Sequence, residues 1–234
     1  MADNGRIRAG SGRRRFLQTA VSSAVIGIGA RAGIKLSGPA RASAQTDLSP
    51  DAALQELMAG NQRFAGNHLT SIEENLNVLR EHTQDKQEPF AAVLSCADSR
   101  VPVELVFDQT IGRVFVTRVA GNCVTPEIIG SLEYGVAVLG VKTMLVMGHS
   151  NCGAVKAAMK VETVPGQIST LYPHLREAVE QSGGSLDKAI AINARIQAKL
   201  LRSSSTVIRD AVKSGKLKVE AGVYDLATGK VALS

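Results

Sequence analysis

The pattern of apolar positions divides the chain into short uninterrupted apolar runs and longer segments with helical spacing. Four runs rich in Val and other apolar residues, at 90–94, 114–120, 143–147 and 218–224, predict β-strands. The first three runs lack an alternation of polar and apolar side chains, which is typical of strands covered on both faces. We therefore expect these three strands to be parallel and buried.

Segments with helical periodicity lie before and between these runs. Pro50 follows Ser49, a pair typical of a helix start, and apolar residues recur at Leu54, Leu57 and Met58. Further helical patterns occupy 128–139, 154–159, 171–181 and 186–201. The alternation predicts an α/β fold, a mostly parallel central β-sheet flanked by helices, with an N-terminal helical arm.

The net charge of +6 does not belong to the predicted fold. Residues 1–44 contain eight Lys or Arg and one acidic residue, which leaves 19 basic and 20 acidic residues in the rest of the chain. A nearly neutral body argues against a nucleic-acid partner, and the absence of Trp removes the best stacking residue for single strands. We therefore expect no nucleic-acid partner.

The basic segment has the layout of an export signal. Residues 11–18 read S-G-R-R-R-F-L-Q, with Arg13 and Arg14 as the pair that is similar to a twin-arginine signal. The apolar stretch at 20–30 is too short to span a bilayer as a helix, and 42–44 offer an A-x-A cleavage site.

This layout predicts a twin-arginine signal peptide at 1–44 and a mature domain at 45–234, delivered to the periplasm by the twin-arginine export machinery. A disordered basic tail and an uncleaved anchor are the alternatives.

Three residues with metal-binding side chains follow predicted strands. Cys96 comes after the first run, and His149 and Cys152 come after the third. Ligands gather at the carboxyl ends of strands in open α/β sheets, so these side chains can meet there. Two sulfurs and one nitrogen suit zinc and leave its fourth tetrahedral position free for chemistry. A His-x-x-Cys pair alone is equally consistent with a structural role.

The residues beside Cys96 favour a catalytic interpretation. Asp98 and Arg100 place a carboxylate and a guanidinium close to the thiolate. A nucleophile at a metal needs an acceptor that orients it, and that acceptor needs a partner of its own. The alternative is an ordinary surface ion pair, which contributes only about 0–1 kcal/mol to stability.

With these motifs the chain resembles the β-carbonic anhydrases, from about residue 49 to residue 234. The resemblance is carried by C-A-D-S-R-V-P at 96–102, F-D-Q at 107–109, R-V-A-G-N at 118–122, G-H-S-N-C-G-A-V at 148–155, L-x-x-G-N-x-R-F at 57–64 and Y-D-L-x-T-G-x-V at 224–231. It implies the β-carbonic anhydrase fold and one Zn²⁺ per subunit. It also implies that Cys96, His149 and Cys152 are the metal ligands, with Asp98 and Arg100 as the catalytic dyad.

The resemblance extends to the substrate pocket and to assembly. Gln87, Phe115 and Tyr134 match the pocket residues of the plant-type, open-site subgroup, in which the pocket is shared across a dimer interface. Gly153 matches the position whose backbone N–H helps to hold the substrate. Val93 stands where the bicarbonate-gated subgroup has Trp, so regulation of that kind is not expected. A homodimer or higher homo-oligomer follows.

The implied activity is the reversible hydration of carbon dioxide to bicarbonate and a proton, by attack of zinc-bound hydroxide. Two thiolate ligands keep more negative charge on the metal than imidazoles would, so we expect activity to rise with pH.

Three other activities remain as alternatives at this point. A dithiol redox protein would use Cys96 and Cys152 but gives the dyad no role. A hydrolase of carbon disulfide or carbonyl sulfide would use the same scaffold. A structural zinc site would need a fourth ligand, for which the candidates are Asp98, Cys123, His68, His82 and His174. Cys123 is otherwise interpreted as a buried thiol.

Overall fold

The computed structural model describes residues 46–161 and 163–234, so the predicted export signal at 1–44 lies outside the described residues. A five-stranded sheet organises the chain. The strands are β1 Ala91–Ser95, β2 Val114–Arg118, β3 Thr143–His149, β4 Lys218–Tyr224 and β5 Val231–Leu233. They are ordered β2-β1-β3-β4-β5, with β5 alone antiparallel to its neighbour. The predicted parallel α/β sheet is confirmed.

Eight α-helices connect and cover the strands within the described part of the chain. They are α1 Pro50–Ala65, α2 Leu76–Thr83, α3 Val103–Val106, α4 Pro126–Ala137, α5 Gly153–Lys160, α6 Tyr172–Gln181, α7 Leu186–Ser204 and α8 Thr206–Lys213. Short 3₁₀ turns lie at Ser71–Glu73, Ala120–Asn122 and Ile168–Leu171. In the described ranges, no helix is both long and apolar enough to cross a membrane.

Two apolar layers cover the sheet. On one face α1 and α3 bury Leu57 and Val103 against Val93 and Leu145. On the other face α4, α7 and α8 pack on alternate side chains of the same strands, as the reversal of side-chain direction along a strand requires. This two-sided burial explains the continuous apolar runs of β1 and β3. The expectation that β2 is buried as well was wrong, because β2 is the edge strand and its residues are half-buried or exposed.

Helix α1 is the predicted N-terminal helical arm, and it packs on the sheet of its own chain. The Ser49 hydroxyl caps it by accepting from the Ala52 amide at 3.2 Å. Further along the helix, buried Asn61 donates to the carbonyls of Val106 and Gly229 at 3.1 and 2.9 Å. Helix α1 thereby fastens the C-terminal end of α3 and the β4–β5 hairpin to one another.

The two edges of the sheet differ. At the β2 edge, no described strand pairs with the outer side of β2. At the other edge, β5 is three residues long, and the adjoining Val219 carbonyl of β4 accepts from the Arg202 guanidinium at 2.8 Å. The β4–β5 edge is thus short and partly blocked by a side chain, whereas β2 offers a free backbone edge.

Candidate metal centre

Neighbouring strands β1 and β3 bring three ligand residues to the carboxyl edge of the sheet. Cys96 directly follows β1, His149 is the last residue of β3, and Cys152 is the N-cap of α5. Their ligand atoms all lie within 4.8 Å of one another, and the Cys96 and Cys152 sulfurs are 4.0 Å apart. All three side chains are buried. The prediction that Cys96, His149 and Cys152 converge is confirmed.

The imidazole of His149 is oriented for a metal. Its Nδ1 lies 2.9 Å from the Ser150 carbonyl oxygen, and a carbonyl can only accept, so Nδ1 carries the proton. Nε2 then has a free lone pair, and this buried atom has no hydrogen-bond partner in the described structure. A buried acceptor without a partner is costly unless a ligand fills the gap. Together with two sulfurs, this atom fits a zinc site.

The two sulfurs form a strongly coupled pair. The sulfurs lie within hydrogen-bonding distance at 4.0 Å, and this contact lowers the pKa of Cys96 while it raises the pKa of Cys152. Cys152 is the N-cap of α5, where the first backbone amides of the helix partly offset the rise in its pKa.

Asp98 and Arg100 form a two-pronged ion pair beside the cluster. The Arg100 Nε and Nη2 donate to the two oxygens of Asp98 at 2.9 and 2.8 Å, and the Arg100 amide adds a third bond at 3.0 Å. The guanidinium holds the pKa of Asp98 well below its usual range. Asp98 Oδ2 lies 3.8 Å from Nε2 of His149. An ionised acceptor thus stands at the edge of the ligand cluster.

Gly153 occupies the first position of α5, next to Cys152. Helix α5 leaves the first amides of its backbone without partners inside the helix. Gly153 is exposed, and a methyl group added at its Cα would meet no atom within 4 Å. Its N–H is therefore available to a small ligand beside the cluster.

The three predicted pocket residues lie together, but on the side of the sheet where the parallel strands begin, opposite the carboxyl ends that hold the cluster. Gln87 and Tyr134 line one cavity of about 650 Å³, and the rings of Tyr134 and Phe115 are 6.3 Å apart. Gln87 precedes β1, whereas Cys96 follows it, and β1 alone spans roughly 16 Å. Within one chain, these residues do not reach the cluster.

Two neighbours of Cys96 were not singled out by the sequence. The Gly121 amide donates to the Cys96 sulfur at 3.3 Å, and Arg118 donates to the Cys96 carbonyl at 3.0 Å. Both residues belong to the R-V-A-G-N motif, so this motif was the sequence signal that could have pointed to them. Its pattern does not indicate which backbone groups these residues contact.

None of the proposed fourth ligands joins the cluster in the described part of the chain. The only group of three or more potential ligand side chains found there is Cys96, His149 and Cys152. Cys123 is fully buried and its sulfur lies 3.6 Å from the carbonyls of Ala120 and Gly121. Burial raises its pKa to about 12, which disfavours a thiolate.

Comparison with known proteins gives concordant matches. Residues 91–231 match the family model described as "Carbonic anhydrase". Carbonic anhydrase 2 of Mycobacterium tuberculosis is 31% identical over 199 residues, which cover 79% of this chain and 93% of that protein. The carbonic anhydrase of Mycolicibacterium smegmatis is 33% identical over 193 residues, with the same coverage of 79% and 93%.

Among solved structures, the chain is similar to a β-carbonic anhydrase of Coccomyxa in complex with acetazolamide. The TM-score is 0.60 at 28% sequence identity, and the match covers 77% of this chain and 85% of that one.

Proposed function

This chain belongs to the β-class carbonic anhydrases, zinc enzymes that hydrate carbon dioxide reversibly, and we propose that Cys96, His149 and Cys152 hold its zinc. The observation that carries the proposal is the buried, unpartnered Nε2 of His149 within 4.8 Å of two cysteine sulfurs. This constellation supplies the donor set that zinc prefers.

Zinc bound there supplies Lewis-acid activation of water near neutral pH. In our proposal Asp98 accepts a hydrogen bond from the nucleophile and so directs the nucleophile's remaining lone pair toward carbon dioxide. Arg100 keeps Asp98 ionised and fixes both of its oxygens, so Asp98 acts as an acceptor and not as an acid. The exposed N–H of Gly153 donates to an oxygen of the substrate.

The substrate side of the site comes from a second copy of the chain in this proposal. Gln87, Phe115 and Tyr134 lie too far from the cluster of their own chain to contact its ligands, so they can serve only the cluster of a partner. The surface around them is suited to burial, because Tyr134, Val138 and Ile111 are 47%, 49% and 51% exposed. The free edge of β2 lies beside this surface and supports a homodimer.

We also place the chain in the open-site subgroup. The Asp98–Arg100 pair supports this assignment. Both Asp98 oxygens point toward the guanidinium, so Asp98 is not a metal ligand and the metal is left to Cys96, His149 and Cys152. Val93 is fully buried between α1 and α3, where it contributes apolar packing.

Carbon dioxide is the substrate that the relatives support. The two mycobacterial proteins are carbonic anhydrases at 31% and 33% identity, which favours carbon dioxide over carbon disulfide or carbonyl sulfide. The decisive experiment is stopped-flow hydration of carbon dioxide by the purified zinc protein at pH 7 and pH 9. We expect activity at both and more at pH 9; inactivity at both would refute the proposed function.

Export through the twin-arginine pathway to the periplasm is a further part of the proposal, and it rests on residues 11–18 and 42–44. The 4.0 Å sulfur pair gives this route a chemical rationale, because free thiols so close are prone to oxidation in that compartment. Export after folding and zinc loading would protect them. Replacing Arg13 and Arg14 with Lys should retain the protein in the cytoplasm, as cell fractionation would reveal; unchanged export would refute the assignment.

A further inference from the structure

Two polar side chains of α7, Asn193 and Gln197, are buried where most of the helix faces apolar neighbours. Each is 1% exposed. They are four residues apart, hence on one face of the helix, and Gln197 Nε2 donates to Asn193 Oδ1 at 3.0 Å. Burying two amides is unfavourable unless their remaining groups also find partners. Their other contacts therefore indicate what the pair does.

Those contacts fix the segment that follows β2. Asn193 Nδ2 donates to the Gly121 carbonyl at 2.9 Å, and the Val124 amide donates to Gln197 Oε1 at 2.8 Å. Gln197 Nε2 also donates to the His174 carbonyl of α6 at 3.0 Å. The side chains of α7 thus bind both ends of residues 121–124 and connect that segment to α6.

Gly121 links this segment to the cluster of three candidate metal ligands. Its carbonyl is held by Asn193, and its own amide donates to the Cys96 sulfur at 3.3 Å. Its φ of +74° is accessible to glycine without strain, and a Cβ there would approach Leu175 to 3.2 Å. The bond from Asn193 to the Gly121 carbonyl restrains the same residue whose amide reaches the Cys96 sulfur, so the position of Asn193 influences where that N–H points.

We propose that Asn193 is a positioning residue of the metal centre, which sets the Gly121 amide on the Cys96 sulfur. The inference rests on the proposed role of Cys96 as a zinc ligand. Partners of metal ligands orient them and alter metal affinity by about 10–100-fold. The N–H···S bond also stabilises the sulfur lone pairs, so its loss changes the electronic properties of the sulfur as well as its position.

The test compares the parent protein with Asn193→Asp and Asn193→Ser. Asp is close to Asn in size but lacks the N–H donor. Ser is neutral but too short to reach the Gly121 carbonyl. If the Asp variant does not fold, the Ser variant is used for the test. Two readouts are measured on each folded protein: the rate of zinc loss to a chromophoric chelator, and the thiolate-to-cobalt charge-transfer band after Co²⁺ substitution.

We expect the Asn193 variants to lose zinc about 10-fold faster than the parent. We also expect the charge-transfer band to move to lower energy, because a sulfur without its hydrogen bond gives up electron density more easily. Ala198→Gly is the matched control. Ala198 is buried on the same helix and packs in the sheet-facing core, so its replacement weakens α7 without removing a bond to Gly121.

The outcomes separate this inference from the proposed function. A parent without a thiolate-to-cobalt band would overturn the zinc role of Cys96 and the inference with it. A normal parent band, with unchanged band position and zinc release in the Asn193 variants, would overturn the inference alone. Equal changes in Ala198→Gly would also overturn it, because loosening of α7 would then be sufficient.

Discussion

The charges and lone pairs of the metal centre are set by direct contacts between single side chains and their neighbours. Arg100 binds both oxygens of Asp98, the Ser150 carbonyl fixes the proton of His149, and the sulfurs of Cys152 and Cys96 contact each other. Each contact prepares its residue before any ligand arrives, so little reorganisation is needed. Single substitutions here should therefore separate binding of the metal from the reaction.

Asp98→Asn should lower carbon dioxide hydration by about 100-fold with little effect on zinc content. The amide keeps the size of the carboxylate but loses its charge and half of its acceptor capacity. Stopped-flow rates and metal analysis on the same preparation measure both effects. Asp210→Asn is the matched control, since the Asp210 side chain is 73% exposed and far from the ligand residues in sequence. Full activity of Asp98→Asn would remove Asp98 from the mechanism.

Cys152 and Cys123 should behave differently on replacement by Ser. Cys152→Ser should lose zinc, because it exchanges a thiolate ligand for a hydroxyl that binds zinc weakly. Cys123→Ser should retain zinc, because the Cys123 thiol donates to the carbonyl oxygens of Ala120 and Gly121, and a hydroxyl can also make these bonds. Zinc-to-protein ratios measured after dialysis against a weak chelator test both expectations. Loss of zinc from Cys123→Ser would make Cys123 a fourth ligand.

The convergence of Cys96, His149 and Cys152 and the pairing of Asp98 with Arg100 could be predicted from sequence, because these residues lie close together in the chain or directly after strands. Gly121 could not, since its contribution is a backbone N–H whose direction depends on a left-handed φ. Asn193 could not either, because it lies 97 positions from Cys96 and reaches it only through another residue.

At the scale of elements, helix α1 depends on close contact with the loop after α3. Gly60 lies against the Phe107 carbonyl, and a Cβ at that position would overlap the carbonyl oxygen. The same stretch of α1 carries Asn61, which donates to the last residue of α3 and to the β4–β5 hairpin. Residues of the L-x-x-G-N-x-R-F motif thus hold together α1, the α3 region and the β4–β5 hairpin.

Gly60→Ala should lower the free energy of unfolding by about 1–3 kcal/mol, because the added methyl group separates α1 from the loop. Gly130→Ala is the control, since Gly130 lies on an exposed part of α4 where an added methyl group would meet no atom within 4 Å. That change should raise stability by about 0.5–1 kcal/mol. Urea unfolding monitored by circular dichroism gives both values. Equal effects of the two substitutions would contradict this explanation.

Most of the elements that sequence predicted have a buried face, but β2 was predicted although none of its residues is fully buried, and α8 was not predicted although Ile208 is buried. The runs of β1, β3 and β4 and the spacing of α7 reflect burial, and their predicted bounds differ from the observed ones by three residues or fewer. Helix α2 was not predicted because it has no buried residue, and β5 because three residues carry no periodicity. Helix α4 begins at Pro126, two residues before its predicted start, because Thr125 caps it.

At the scale of the whole molecule, each active site in our proposal combines two chains. Cys152→Ser removes the metal half of a site, and a variant with Gln87→Ala and Tyr134→Ala removes the substrate half. Each should be inactive alone, but dissociation and reassociation of an equal mixture should restore about one quarter of the parent sites, since half of the dimers are mixed and one site of each is intact. Stopped-flow assays of the mixture measure the recovery. No recovery from a mixture proven to contain mixed dimers would place both halves in one chain.

The unequal edges of the sheet have a consequence for how large such an assembly grows. Among the described strands, β2 has an unpaired outer edge five residues long, whereas the opposite edge is shortened at β5 and partly blocked by Arg202. In our proposal two copies meet through β2 and use that edge on both chains, so a third copy finds only the short, partly blocked β4–β5 edges. Such a dimer would resist growth into fibrils by addition of strands.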